Sequence, residues 1–371
     1  KLDSWIISQR GGSVRMLCAG CCCPVSSNSS TLQRNPSPVA RMNAKGNKME
    51  TNFSLRTIIL IALCLQNAVY TVMRKYSTQY EDVSAHEILI VAEVIKILFS
   101  VYMIFNETDP AQSDSQGKGV NKLLWLLKNS GKMLMLAVIY GAMNILSFVA
   151  LQYIGAGEFT ICAQLKILTT AGFAVVVLGR TLTPTKWRSL VLLVLGCILV
   201  ASPSFNSEKG GNPALGYMAV MVEVCLSGFA SIYFEKVVKS TTELVTIWER
   251  NFQLGFYSLL MYGGIIVYQS YQAGVEIEGG VEGEVVRAAW SGWSLITLSV
   301  AVLGAAGGLL VAATLKYADA ILKTLASAGA IVIATLLGHY FLSGPLDLII
   351  ALGSCVAIVA ISDYTLDATP A

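Results

Sequence analysis

Histidine is almost missing from this chain of 371 residues, which holds only His86 and His339, far apart. Two isolated imidazoles offer neither a metal site nor a histidine-based triad. D-x-D, H-x-x-x-x-D and Walker A patterns are also absent. An embedded transferase or a pump with its own ATPase is therefore not expected, and neither is a cofactor or an enzyme activity. Charge is scarce too: 13% of residues are Asp, Glu, Lys or Arg, where a soluble domain carries roughly a quarter. The net charge of +3 is small, so nucleic acid is not implied as a partner. An apolar h-region is lacking before residue 54, and a cleavable signal peptide is not expected.

Nine cysteines are present but give little direction. Cys64, Cys162, Cys197, Cys225 and Cys355 fall in apolar runs and read as small core residues. Cys18, Cys21, Cys22 and Cys23 cluster in the N-terminal tail, without the histidine or second spaced pair that a metal would want. An untranslated or disordered extension is the expected reading there, with palmitoylation as the alternative.

What the chain has is oil. Apolar residues make up 54% of it, gathered in long blocks rather than amphipathic stripes, which is the pattern of a polytopic helical membrane protein. The expected fold class is all-α, with ten transmembrane helices. They fall at 55–73, 86–105, 132–153, 158–178, 187–203, 214–234, 245–268, 293–315, 319–342 and 345–362. Residues 1–54 read as a disordered basic tail, 55–203 and 204–363 as two five-helix halves, and 364–371 as a short C-terminal tail. With the N-terminus cytosolic, that face receives thirteen lysines and arginines, including Arg56, Lys122, Arg180, Lys186 and Lys239. The opposite face receives four: Arg74, Lys75, Lys209 and Arg287. The imbalance places both termini in the cytosol.

A repeat organises the blocks. "LKILTTAG" from Leu165 and "LKTLASAG" from Leu322 share L-K-x-L-x-x-A-G at an offset of 157 residues, and Gly196 matches Gly353 at the same offset. The matches join the fourth span to the ninth and the fifth to the tenth. Five spans per half would turn the second half upside down, the inverted repeat of alternating-access carriers with a midplane site.

Two lysines, Lys166 and Lys323, occupy equivalent repeat positions. A lysine at bilayer depth costs about 2.5–3.5 kcal/mol even on the mild insertion scale. Snorkelling or pairing with a carboxylate is the bland explanation. It suits Lys323, near the start of its span, better than Lys166, which lies roughly 12 Å from either boundary at 1.5 Å per residue. Two cations facing one cavity would repel when it is empty and match an anion bearing phosphates. Other polar groups fall in the spans. Glu93 and Lys96 sit at i, i+3, as an ion pair or as groups for substrate contact or gating. Tyr140 and Asn144 form an i, i+4 stripe, while Asn251 and Gln253 either bind between helices or read a ligand edge. Gln164 precedes the "LK" motif, and Tyr317 crowds the hairpin with Lys316, Asp319 and Lys323. Gly304, Gly307 and Gly308 make a small-residue face.

"LQNAVYTVMRKYS", "AEVIKILF", "QLKILTTA", "SGFASIYFEKVVK", "WERNFQLG" and "GGLLVAATLKYADAILK" together resemble the nucleotide-sugar transporters. The branch resembled carries CMP-sialic acid, UDP-galactose and UDP-N-acetylglucosamine, and the likeness runs from Leu55 to Asp363. It implies a ten-helix drug/metabolite-transporter fold in a Golgi or ER membrane. It also implies exchange of a cytosolic nucleotide sugar, UDP-galactose or CMP-sialic acid, for the nucleoside monophosphate. In the family, positions matching Lys166 and Lys323 contact the nucleotide phosphate, and those matching Tyr140, Asn144 and Asn251 line the nucleoside pocket. Departures are visible: Ala320 and Thr324 replace Asn and Gly of "YADNILKG", "GAGEFTICA" lacks the family's Asp and tyrosines, and Ile145 replaces a second Asn. Expected partners are the nucleotide sugar, the monophosphate and membrane lipid, with a homodimer left open. The alternatives are an exporter of another phosphorylated metabolite on this fold, or a non-transporting membrane scaffold.

Overall fold

The structure, a computed structural model, describes residues 38–80, 85–106, 119–201, 213–240, 245–278, 292–343 and 346–367. The tail cysteine cluster and much of the expected basic tail lie outside the described residues. The chain divides into two units, Lys1–Met49 and Glu50–Ala371. Of the first, only helical backbone over residues 38–49 is described. The core, the cavity and the ion pairs all belong to the second.

In hydrocarbon a backbone has only itself to bond, so long apolar runs become helices. Twelve are found among the described residues: α1 (Pro38–Tyr80), α2 (Ala85–Asn106), α3 (Val120–Lys128), α4 (Gly131–Tyr153), α5 (Ala156–Ala163) and α6 (Lys166–Leu178). The others are α7 (Pro184–Ala201), α8 (Pro213–Val238), α9 (Ile247–Glu278), α10 (Leu295–Tyr317), α11 (Ala320–Leu342) and α12 (Leu348–Leu366). Nine helical stretches among the described residues are long and apolar enough to cross a membrane, α5 and α6 counting together as Gly157–Leu178. At 32 residues α9 is long enough, but it is not among the nine; Glu249, Arg250, Asn251 and Gln253 dilute its first turns. Outward side chains such as Ile58, Leu98, Val138, Val176 and Leu352 are apolar and exposed, as a lipid-facing surface requires.

Helix ends follow local chemistry. Gly179, at φ 66°, closes α6 in the left-handed conformation that glycine tolerates without a Cβ clash. Ser294 caps α10 by accepting from the N–H groups of Ile296 and Thr297, and Asp319 caps α11 by accepting from that of Leu322.

The main core joins α4, α6, α7, α8, α9, α10, α11 and α12 through Leu136, Ile167, Leu193, Phe234, Leu254, Leu315, Ile321 and Ala357 respectively. The most extensive helix contact is α7 on α12. It depends on the two glycines that the repeat pairs. A Cβ on Gly196 would come within 2.8 Å of the Ala357 nitrogen, and one on Gly353 within 2.8 Å of the Gly196 carbonyl. Backbone against backbone leaves nothing soft to yield. Elsewhere α2 packs on α9, α4 on α8 and α6 on α8.

Gly353→Ala is expected to lower the unfolding midpoint of detergent-purified protein, at a cost of about 1–3 kcal/mol for overpacking. Gly263→Ala, on α9 with open space around the new methyl, is the control. It should leave the midpoint unchanged or raise it, since alanine favours a helix by about 1 kcal/mol over glycine. Thermal denaturation followed by tryptophan fluorescence distinguishes the two.

Candidate functional site

Lys166 does not sit inside a regular helix. Between α5 and α6 the chain tightens: Gln164, Leu165, Ile167 and Leu168 each donate their N–H three residues back, at 3.0–3.1 Å. A 3₁₀ turn in mid-span is a common mark of a functional hinge. It rotates the side chains that come after it, and Lys166 becomes the first residue of α6. Hydropathy alone predicts one continuous helix over 158–178.

The turn borders a cavity of about 600 Å³, within the range of small-molecule sites. Lys166 and Gln164 line it with Asn67, Tyr70, Thr71 and Lys75 of α1, Thr324, Ser327 and Thr335 of α11, and Cys197 of α7. No hydrogen bond or ion pair to the Lys166 ammonium is found among the described residues. Gln164 is nearly buried and donates to the Thr160 carbonyl at 3.1 Å. Lys323 lies beside the cavity rather than in its lining: its ammonium reaches Ser231 Oγ of α8 at 3.2 Å. Lys166 and Lys323 are nevertheless near enough to act on one another electrostatically.

A second polar group forms between α2, α4 and α9. Lys96 holds both Glu93 oxygens, at 2.7 and 2.6 Å. Room for the pair comes from Gly308, where a Cβ would press within 3.1 Å of the lysine stem, and Gly255, where it would approach Glu93 Oε2 to 3.3 Å. Tyr262 adjoins this pair, and it shares a hydrogen bond with Asn144 and an electrostatic contact with Tyr70. Tyr140, one turn before Asn144, also neighbours Tyr262. Tyr262, which no sequence motif marks, therefore hydrogen-bonds the α4 stripe at Asn144 and lies within electrostatic range of Glu93.

Other expected residues fall elsewhere. Gln253, 1% exposed, donates to the Leu126 carbonyl at 2.7 Å and accepts from Arg250 at 3.3 Å, which ties α9 to α3. Asn251 is equally buried, with its amide nitrogen unpartnered. Tyr317 is 47% exposed at the end of α10, beneath the Lys316 ammonium. Missed were Asn67, Tyr70 and Thr71; their i, i+3, i+4 spacing in "QNAVYT" was the available signal.

Charged side chains gather at one end of the bundle. Glu235, 1% exposed, accepts from Arg180, Lys239 and the Ala320 N–H. Asp319 stands 3.7 Å from Arg180 and 3.9 Å from Arg56. Lys239 also donates to the Ala318 carbonyl, and Lys122 pairs with buried Glu249 at 2.8 Å. The cavity lies toward the opposite ends of α1, α7 and α11, beside Lys75, Ala201 and Leu342.

A sequence model of the nucleotide-sugar transporter family matches residues 51–365. The chain belongs to that family. The rat UDP-N-acetylglucosamine transporter is 32% identical over 337 residues, covering 86% of this chain and 97% of the relative. The UDP-galactose/UDP-N-acetylglucosamine transporter srf-3 of Caenorhabditis elegans is 33% identical, covering 82% and 80%. The UDP-galactose transporter of Schizosaccharomyces pombe is 31% identical, covering 87% and 92%. A crystal structure at 14% identity superposes with a TM-score of 0.59 over 84% of this chain and 97% of its own, a likeness of fold. This transporter is thus a multi-pass membrane protein whose polar interior belongs to a nucleotide-sugar carrier.

Breaking the Glu93–Lys96 pair on one side strands a buried charge, at a cost of about 3–5 kcal/mol. Glu93→Gln or Lys96→Met alone should lower the unfolding midpoint, and the double variant should recover most of the loss. A double variant no more stable than the singles would show that the pair is not the source.

Proposed function

We propose that this transporter moves a UDP-linked sugar, UDP-N-acetylglucosamine or UDP-galactose, from cytosol to Golgi lumen in exchange for UMP. CMP-sialic acid, open on the sequence alone, is set aside because the rat, nematode and yeast relatives are carriers of UDP sugars. The observation that carries the proposal is Lys166: a lysine at mid-span depth, at a hinge, beside a cavity, with no counter-ion in contact. Such a cation suits a phosphate that arrives and leaves. Lys323 would take a second phosphate oxygen once the ammonium leaves Ser231. The Tyr140–Asn144–Tyr262 group and Asn251 would serve the uridine.

The packing supports ten spans in two inverted halves, with α9 as the seventh. The pairs α7–α12, α2–α9 and α6–α11 map onto themselves when the halves are exchanged. The contact of α4 with α9 is answered by α2 with α10. The halves are not equal throughout: α4 packs extensively on α8, whereas its counterpart, α1 with α10, is slight and includes the Gln66 donation to the Leu303 carbonyl at 2.8 Å. The charged end draws on Arg56, Lys122, Arg180 and Lys239, all assigned to the cytosol by the lysine–arginine imbalance. On that orientation the charged end would face the cytosol and the cavity would face the lumen.

The charged end also explains how loading and gating connect. Glu235 and Asp319 occupy the first N–H groups of α11, the helix that carries Lys323 three residues later. Releasing those carboxylates opens the cytosolic end and frees the Lys323 helix in one event. An empty carrier holds two neighbouring cations while it converts; a loaded one has them neutralised. A ligand shifts such an equilibrium only by its differential affinity for the states, and phosphate supplies that difference. Exchange is the result.

Lys166→Ala and Lys323→Ala should each abolish UMP/UDP-sugar exchange in proteoliposomes while the unfolding midpoint without ligand stays near wild type. In the unmutated protein UMP should raise that midpoint more than CMP or GMP does, since ligands that bind the native state stabilise it. Near-normal exchange by either variant sinks the phosphate reading; a larger shift with CMP or GMP overturns the choice of base.

A further inference from the structure

Glu223, in "MVEVC", carries no motif and has no part in the exchange mechanism built on the two lysines. It lies mid-way along α8, where a carboxylate is as costly as the lysines it resembles. Its Oε2 is buried with no hydrogen-bond partner, and Ser147 of α4 lies within hydrogen-bond reach of the carboxylate. The cation whose field reaches it is Lys166, and Glu223 is the carboxylate whose field reaches Lys166. The two are not in ion-pair contact, but the helices that carry them meet closely at this level. Thr169 Oγ1 lies 3.2 Å from the Lys166 carbonyl and 3.0 Å from the carbonyl of Val224, the residue after Glu223. Gly228 keeps that approach close, since a Cβ there would come within 2.6 Å of the same hydroxyl.

We propose that Glu223 is an internal counter-anion for Lys166, balancing the ammonium when no phosphate is present and competing with phosphate for it. The proposal rests on the reading of Lys166 as the phosphate-binding cation. An unpartnered carboxylate oxygen held on the helix beside an unpartnered ammonium has little else to do at that depth. Its effect would be to lower the charge of the empty site from two cations to a net of one. The empty carrier could then convert more readily than the lysines alone would allow, at the expense of some affinity for the nucleotide. Glu223 would thus set how strictly uptake depends on counter-substrate.

The test is isothermal titration of the purified full chain with UMP and, as a phosphate-free control, with uridine. Glu223→Gln keeps the shape and the Ser147 contact but removes the charge. It should tighten UMP binding on the order of five-fold, the scale of one partly screened charge pair, and leave uridine unchanged. In vesicles the same variant should raise the ratio of UDP-sugar uptake with preloaded UMP to uptake without it. Lys166→Gln separates the two readings. If it weakens UMP while Glu223→Gln changes nothing or weakens UMP too, the counter-anion is overturned and the phosphate site stands. If Lys166→Gln leaves UMP unaffected, the phosphate reading itself fails. Should Glu223→Gln not fold, Ser147→Ala serves instead: releasing the carboxylate toward Lys166 should weaken UMP and spare uridine, and an unchanged UMP affinity overturns the proposal.

Discussion

Holding Lys166 charged inside a bilayer is the constraint on which the rest depends. The ammonium must have water, a counter-charge or a ligand, because hydrocarbon offers none of them. A cavity beside it supplies the first, Glu223 on the neighbouring helix is placed to supply the second, and the proposed phosphate supplies the third. Each in turn dictates structure. The cavity lies toward one end of α1, α7 and α11, and carboxylates and cations around Glu235 join α8 to the start of α11 toward the other. The 3₁₀ turn at Gln164 and Leu165 aims the lysine inward without the kink that proline would impose.

The charged end shows why counting ion pairs would mislead. Arg56 and Lys239 are substantially exposed, and exposed pairs of that kind contribute little. Glu235 differs, because it is buried and meets three donors, one of them the backbone of α11. Its removal would orphan the first N–H of that helix as well as break two pairs. Glu235 thus ties an ion network to the backbone of α11, so that the groups gathered at this end depend on one another.

Much of this was legible in the sequence, for reasons that can be named. Long apolar runs specify helices in lipid without needing to know their neighbours, so most spans appear within a few residues of where hydropathy put them. The Gly196–Gly353 match was legible only as a repeat correspondence; that the two glycines meet backbone to backbone is seen in the structure. Gln253 was less readable: a polar group in a span can serve a ligand or another helix, and only the position of the Leu126 carbonyl tells which. Tyr262 and Glu223 were invisible for a related reason. Neither carries a motif, and each matters through neighbours more than fifty residues away in sequence. The turn at Gln164 left no mark at all, since no glycine or proline announces it.

Lys166 and Lys323 share a repeat position yet have different surroundings, and the difference is itself informative. The first lies beside the open cavity at an unsealed hinge; the second sits behind Asp319 and Glu235, its ammonium on Ser231. Identical local sequence, L-K-x-L-x-x-A-G, does not produce two environments through propensity. Tertiary context does: Lys166 follows a 3₁₀ turn that borders the cavity, whereas Lys323 follows the Asp319 cap and lies against α8, where Ser231 Oγ accepts from its ammonium.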